Sequence, residues 1–399
     1  MSSEFRLSSI CSIVMGQSPA GEDCNNKSDG IPLLNGPSEF GATHPIPVQY
    51  TTDARKIALP GDILFCVRGS TTGRMNWADR EYAIGRGLAA IRGINGYPTS
   101  YVKAIIETKL PELLQTATGS TFPNIGKETL GNLPIFPLGA KTALTISGVI
   151  EPLDDRITLL RETNKTLEAI AQAIFKSWFV DFDPVSAKMD GRQPAGMDEE
   201  TAALFPDELV KSELGLIPKG WEVSSFEGFI DRLSVGKKYD QKTAQPEGLV
   251  PILDQGRSGI IGYHNDEPGV VASLDEPVVV FANHTCYMRL ILFPFSAIQN
   301  VLPFRGKGID TVWVYFATKD RQRFQEYKGH WPDFVANKSV LPGSVLTEAF
   351  RHIVDPLMRR VRVNELSLNS LVSARDTLLP RLISGKLRVP IDEVEPSEA

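Results

Sequence analysis

The chain has 399 residues, 42% of them apolar, and a formal net charge of -6. That length exceeds what one hydrophobic core usually serves, so two medium-sized domains are expected, and the ordinary composition argues against a disordered or fibrous chain. The acidic balance argues against a strong sequence-independent grip on nucleic acid, but the surplus acid sits at residues 141–220, with 9 basic and 14 acidic side chains, and leaves the flanking segments near neutral.

Residues 1–140 read as a first globular domain. The start, MSSEFRLSSICSIVMGQ, lacks a sustained apolar stretch. No later run approaches the roughly 18 apolar residues of a membrane span, so a cytoplasmic protein with no membrane contact is expected. Short β-rich runs bounded by Gly, Pro and Asn, such as DILFCV at residues 62–67, predict irregular sheets of an α/β domain. Cys11, Cys24, Cys66 and Cys286 form no C-x-x-C pair and are expected to be reduced thiols.

A long helix is predicted over 141–183. Apolar positions alternate in steps of four and three through Ile146, Ile150, Leu153, Ile157, Leu160, Asn164, Leu167, Ala171, Ile174 and Trp178, which is a heptad seam with one polar interruption. From Ile146 to Trp178 it would run about 48 Å at roughly 1.5 Å per residue. Pro152 is expected to kink or delay its start. Residues 184–220, rich in Pro, Gly and acid, read as an extended linker with at most one short helix near Glu199 to Leu204.

A second domain follows over 221–345, with strands expected at PVVVF (277–281) and VWVYF (312–316), and with His330 and Trp331 in packing roles. A second long helix is predicted over 346–389, before an acidic tail at 390–399. Its seam is Phe350, Val354, Leu357, Val361, Asn364, Leu368, Leu371, Arg375, Leu378 and Leu382, each 204 positions after its counterpart in the first. Pro356 should act as Pro152 does, and Pro380 should disturb the helix end.

The duplication extends beyond the helices. Ile31-Pro32-Leu33-Leu34-Asn35 answers Val250-Pro251-Ile252-Leu253-Asp254, Ile91-Arg92-Gly93 answers Phe304-Arg305-Gly306, and Phe122-Pro123-Asn124-Ile125 answers Trp331-Pro332-Asp333-Phe334. Two copies of one unit, domain then helix, imply a pseudo-two-fold molecule. If the helices pack antiparallel with paired residue numbers summing to 528, every seam position meets a seam position. Asn164 then faces Asn364, Leu160 faces Leu368, Ile157 faces Leu371, Leu167 faces Val361 and Trp178 faces Phe350. An Asn pair satisfies both amides and selects this register, because a one-heptad slip sets each Asn against an apolar residue.

Catalytic signatures are sparse. There is no D-P-P-Y or N-P-P-Y run to hold a target adenine and no G-x-x-x-x-G-K-[ST] phosphate loop; Asp183-Pro184-Val185 resembles the former only superficially, and the Gly256, Gly259, Gly262 series reads as a turn. A nuclease-like pattern can be assembled from Pro206-Asp207 and Asp240-Gln241-Lys242, which keeps a stand-alone metal-dependent DNA endonuclease as an alternative. A non-catalytic coiled-coil scaffold is another.

Several strings are more specific: LDDRITLLRETNKTLEAIAQAIFKSWFVDFDPV (153–185), ETAALFPDELVKSELGLIPKGWEV (200–223), RDTLLPRLISGKLRV (375–389), PGDILFCVRGSTTG (60–73), LAAIRG (88–93), GSTFPNIGKETLGNLPI (119–135) and GHWPDFVANKSVLP (329–342). Through these the chain resembles, over essentially its whole length, the specificity subunit of type I restriction-modification systems. The resemblance implies two α/β target recognition domains with irregular sheets, separated by two long antiparallel coiled-coil helices. It implies a non-catalytic subunit that reads a bipartite, asymmetric double-stranded DNA target and docks two methyltransferase subunits and motor-nuclease subunits. S-adenosylmethionine, ATP and Mg²⁺ then belong to those partners, with no cofactor or metal in this chain. The family's glycine-threonine-proline loop stands here as Gly16-Gln17-Ser18-Pro19 and is not evident in the second domain.

For DNA contact the first domain offers Arg68, Ser70, Thr71, Thr72 and Arg74 on a Gly-rich loop, with Arg86 and Arg92 near the next strand. Arginine bonds guanine edges bidentately, whereas hydroxyls and loop amides suit phosphates. The second domain offers Lys237, Lys238, Tyr239, Lys242, Arg257, Asn283, His284, Arg305 and Lys307.

Overall fold

The computed structural model describes residues 5–116, 123–136, 138–256, 259–326 and 328–390. The chain divides into two compact units, residues 1–162 with 366–399, and residues 163–365. Both boundaries fall inside the long helices, which run Ala140–Phe179 and Ser344–Ile383. No helix among the described residues is long and apolar enough to cross a membrane.

In the first unit a four-stranded sheet has the order Cys11–Met15, Leu88–Gly93, Ile63–Cys66, Met75–Trp77, each neighbour antiparallel. The strand Ile63–Cys66 reads as an unbroken apolar run because both its faces are covered. Ile63 and Phe65 enter a core with Ile91, Tyr101, Ile105 and the helix residues Ile146, Ile150, Leu379 and Leu382. Leu64 and Cys66, with Leu88 of the same sheet, face the second sheet through Leu34, Tyr82 and Ile84. In that sheet Ile31–Leu34 pairs parallel with Tyr82–Ile84. Cys11 is a free thiol that burial pushes up to about 12, so it acts as a core apolar group.

The second unit repeats this topology. Its antiparallel sheet has the order Ile230–Arg232, Val301–Gly306, Val278–Ala282, Met288–Ile291, and its second sheet pairs Val250–Leu253 parallel with Ser296–Ile298. Register matches residue for residue: Cys11 faces Gly93 and Ser12 faces Arg92, as Ile230 faces Gly306 and Asp231 faces Arg305. Each of these glycines donates its N–H to the hydroxyl of a helix-opening threonine, Gly93 to Thr99 (3.1 Å) and Gly306 to Thr311 (3.2 Å). The internal repeat is therefore a repeat of hydrogen-bonding pattern as well as of sequence.

Within the second unit the helices run antiparallel on the expected sum. Asn364 Nδ2 donates to Asn164 Oδ1 (2.7 Å), Asn164 Nδ2 reaches the Val361 carbonyl (3.4 Å), and Trp178 meets Phe350 edge-on at 6.2 Å. Within the first unit the other polar interruption, Arg375, donates to Asp154 (3.1 Å) and to its neighbour Asp376 (2.7 Å). Both interruptions are thus satisfied, which is the condition for keeping polar groups in a helix seam.

Four expectations need correction. VWVYF lies in a helix, Thr311–Thr318, whose N-cap Asp310 accepts from Val312 N (2.8 Å) and Trp313 N (3.1 Å); every residue of the helix is buried, so no periodicity betrayed it. Pro152 and Pro356 do not delay the helices, which begin at Ala140 and Ser344; both prolines are exposed, so the carbonyl each leaves unpaired can face water. The linker holds two helices, Asp183–Met189 and Glu199–Ala203, and a hairpin of Leu209–Ser212 with Gly215–Pro218. The long side chains Trp178, Phe179, Phe182, Val185, Phe205 and Trp221 pack together there and fold what composition alone marks as loose. Lastly, Pro123 and Asn124 precede the helix Lys127–Gly131, whereas Trp331–Phe334 lie inside the helix Trp331–Ala336. The equivalent positions are the caps Gly126 and His330, again 204 apart; Phe122 lies outside the described residues.

Candidate nucleic-acid interface

In the first unit, loops from four places meet at one end of the sheets. The Val67 N–H donates to the Gly87 carbonyl (2.9 Å), which brings Arg68 beside Arg86, and the Arg86 N–H donates to Ser18 Oγ (3.3 Å). Gly16 seals the join: a Cβ there would come within 2.1 Å of the Gly85 carbonyl oxygen. Gly69 N–H reaches the Pro123 carbonyl (3.2 Å), and Arg74 Nη1 reaches the Pro37 carbonyl (3.5 Å). Arg68, Ser70, Arg74 and Arg86 are all exposed on this end, with Gln17 and Asn35 beside them, two exposed amides outside the residues that the sequence offers for DNA contact.

Other members of the Gly-rich loop hold it together. Thr72 Oγ1 donates to the Gly69 (2.7 Å) and Pro123 (2.9 Å) carbonyls, and Thr71 Oγ1 lies 3.6 Å from Cys66 Sγ. Arg92 is at the opposite strand end. It donates Nε and Nη2 to the two oxygens of buried Asp62 (2.6 and 3.0 Å), a bidentate pair that raises the guanidinium further and commits it to the sheet.

The second unit gathers equivalent loops. Asn283 N–H donates to the Asn300 carbonyl (2.9 Å), as Val67 does to Gly87. By strand register the counterpart of Gly16-Gln17-Ser18 is Val235-Gly236-Lys237, so a loop stands at the same place without the motif. Lys238 and Lys242 are exposed near it. Lys237 pairs with Asp266 (2.7 Å), and buried Tyr239 stacks on His264 (4.1 Å between rings) while donating to Asp266 (2.9 Å). These two hydrogen bonds hold Asp266 below the ordinary carboxylate range.

The remaining candidates separate. Asn283 Oδ1 caps the helix at Trp331 N (2.9 Å), and His284 Nδ1 sits 3.0 Å from the Lys328 carbonyl. Arg305 donates to the Val271 carbonyl (2.8 Å) at the strand end equivalent to Arg92, with exposed Lys307 two residues on, away from the loop end. Arg257 lies outside the described residues. Buried His330 supports the helix start, and Trp331 packs on Phe304 and Phe281. Of the nuclease-like pattern, Asp240 accepts from its own turn at Lys242 N, Thr243 N and Thr243 Oγ1, and these bonds lower its pKa. Among the described residues no group of three or more His, Cys, Asp and Glu is placed to hold a metal ion.

Comparison with known proteins agrees with this architecture. Residues 2–169 match the type I restriction modification DNA specificity domain. The HindI specificity subunit of Haemophilus influenzae is 23% identical, over 84% of this chain and 88% of its own. The MjaIX specificity subunit of Methanocaldococcus jannaschii is 25% identical, over 82% and 78%. The crystal structure of the type I restriction-modification S subunit from M. genitalium shares the fold with a TM-score of 0.59 at 15% identity, covering 95% of both chains. The chain is thus similar to the specificity subunits of type I restriction-modification systems, through the DNA specificity domain in residues 2–169 and through these relatives over most of its length.

Proposed function

We propose that this chain reads a bipartite, asymmetric double-stranded DNA target, each unit's loop end contacting one half-site, within a complex of two methyltransferase and further motor-nuclease subunits. The domains would be residues 1–140 and 221–345, with the helices 141–183 and 346–389 setting the unread gap. The observation that carries this reading is the repeat of one sheet topology whose loop ends differ in side chains: Arg68, Ser70, Arg74 and Arg86 in one, Lys238 and Lys242 in the other. Exposed arginines suit guanine edges and phosphates, and unlike loops imply unlike half-sites. S-adenosylmethionine, ATP and Mg²⁺ would be bound by the partners. Substituting Arg68→Ala with Arg86→Ala, in the assembled methyltransferase, should weaken binding roughly 10- to 100-fold and relax the first half-site alone. Unchanged methylation at both halves, mapped by sequencing modified adenines, overturns the assignment.

Two copies of one partner need one surface presented twice. Exposed Pro152, Arg156 and Leu159 recur 204 residues later as exposed Pro356, Arg360 and Val363, on the faces of the helices turned from their seams. We assign these faces to the two methyltransferase subunits, each apolar contact flanked by an arginine for a partner carboxylate. Leu159→Asp or Val363→Asp alone should leave a complex with one methyltransferase, and the double variant none, by native mass spectrometry; full occupancy in the double variant rejects the surface.

A further inference from the structure

The loop ends of the two units are unequally equipped. In the first, eight residues (67–74) join Ile63–Cys66 to Met75–Trp77 and carry Arg68 and Arg74. In the second, five residues (283–287) make the same connection and none is a lysine or arginine. Their polar atoms are also engaged: Asn283 Oδ1 with Trp331 N, His284 Nδ1 with the Lys328 carbonyl, and Thr285 Oγ1 with the Gln255 carbonyl (2.6 Å). This turn has little left to offer a ligand.

The stretches that lean on it, residues 319–326 and 328–330, are differently built. They are tied to the turn by the His284–Lys328 contact and by the His330 N–H, which donates to the Asn283 carbonyl (2.9 Å). Most of their cations are occupied. Lys319 lies over the Tyr315 ring, Lys328 pairs with Glu326 and Asp333 (3.3 Å each), and Arg321 donates to the Lys338 carbonyl (3.1 Å). In the first stretch Arg323 is exposed and forms no ion pair among the described residues, and Phe324 is 56% exposed. Their backbone is braced by Gln322, whose Nε2 donates to the Arg323 carbonyl (3.2 Å), and the Phe324 ring rests edge-on to His330 at 5.9 Å.

Single exposed apolar side chains are ordinary on a protein surface, so the Phe324 ring gains its meaning from its place, beside an exposed arginine in the stretches that cover the turn equivalent to residues 67–74. Against DNA the pair has complementary uses, the guanidinium for a phosphate or guanine edge and the ring for a thymine methyl or a base step. We propose that Arg323 and Phe324 contact the second half-site, supplying there what Arg68 and Arg74 supply in the first domain. This rests on the reading of the chain as a DNA-target reader.

The test uses the full chain assembled with its methyltransferase and a duplex carrying the target mapped for the wild-type complex. Phe324→Ala should weaken binding roughly 5- to 100-fold and relax the second half-site while the first stays intact. Arg323→Ala should reduce the salt dependence by about one phosphate contact, and Arg323→Lys should largely restore it. Both residues are exposed, so unchanged thermal melting serves as the folding control. Wild-type affinity and specificity in both variants, or a loss of methyltransferase binding without a half-site effect, overturns the proposal. Failure of the wild-type complex to show any bipartite target would instead overturn the reading beneath it.

Discussion

Inserting one heptad into each long helix at facing positions, between Asn164 and Lys165 and between Val363 and Asn364, should lengthen the unread gap of the target by about 3 base pairs. Seven residues add about 10.5 Å to each helix, and a DNA base pair occupies roughly 3.4 Å. Methylation of the original target should fall toward the non-specific level, a loss of 10³-fold or more, because one half-site can no longer be engaged with the other. A single-helix insertion is the informative control. It moves Asn364 off Asn164, to which it now donates at 2.7 Å, and leaves two seam amides facing apolar groups. At about 1–3 kcal/mol for each unsatisfied group, that variant should unfold at lower temperature, while the paired insertion should not. A paired insertion that folds and methylates the original sequence with the original gap removes the helices from any role in spacing.

The seam was legible in the sequence because a heptad repeat is a long-range periodic signal, and Asn164 with Asn364 carried its own solution, whereas the partners of Arg375, Asp154 and Asp376, emerge only from the fold. The repeated register was legible too, through Ile91-Arg92-Gly93 and Phe304-Arg305-Gly306, since each glycine is a local requirement: a Cβ would come within 2.0 Å of the Tyr97 carbonyl oxygen at Gly93 and 2.1 Å of the Ile309 carbonyl oxygen at Gly306. VWVYF was not legible, because a helix buried on every side has no polar face to mark its period. The linker looked unfolded by composition, yet Trp178, Phe205 and Trp221 lie far apart in sequence and meet only in the folded unit. Candidate DNA contacts were hardest. Arg92 and Arg68 share a residue type and a neighbourhood in sequence, but only the fold puts one against Asp62 and the other at the loop end. Arg323 and Phe324, proposed above from the fold, drew no notice in the sequence because nothing in their string sets them apart from an ordinary surface loop.

Replacing residues 1–140 with the corresponding segment of another specificity subunit should change one half of the methylated sequence and leave the other half and the gap as they were. The difficulty lies in the joint rather than in the recognition surface. The core of this domain is completed by residues outside the exchanged segment, Ala143, Ile146 and Ile150 on the first helix and Leu379, Leu382 and Ile383 on the second. Ser100 Oγ, within the segment, donates to Ser147 Oγ outside it (3.0 Å). A donor whose residues opposite Ile146 and Leu382 are smaller leaves a cavity, at about 2–5 kcal/mol for a Leu-to-Ala-sized gap, so a failed chimera is first a packing failure. Matching donor residues to Ile146, Ile150 and Leu382, and confirming an unchanged melting temperature, separates that outcome from loss of recognition. A chimera that melts as the parent does should then methylate a hybrid sequence. If it methylates the parental sequence in both halves, residues 1–140 do not read DNA, and if both halves change, the two units do not read independently.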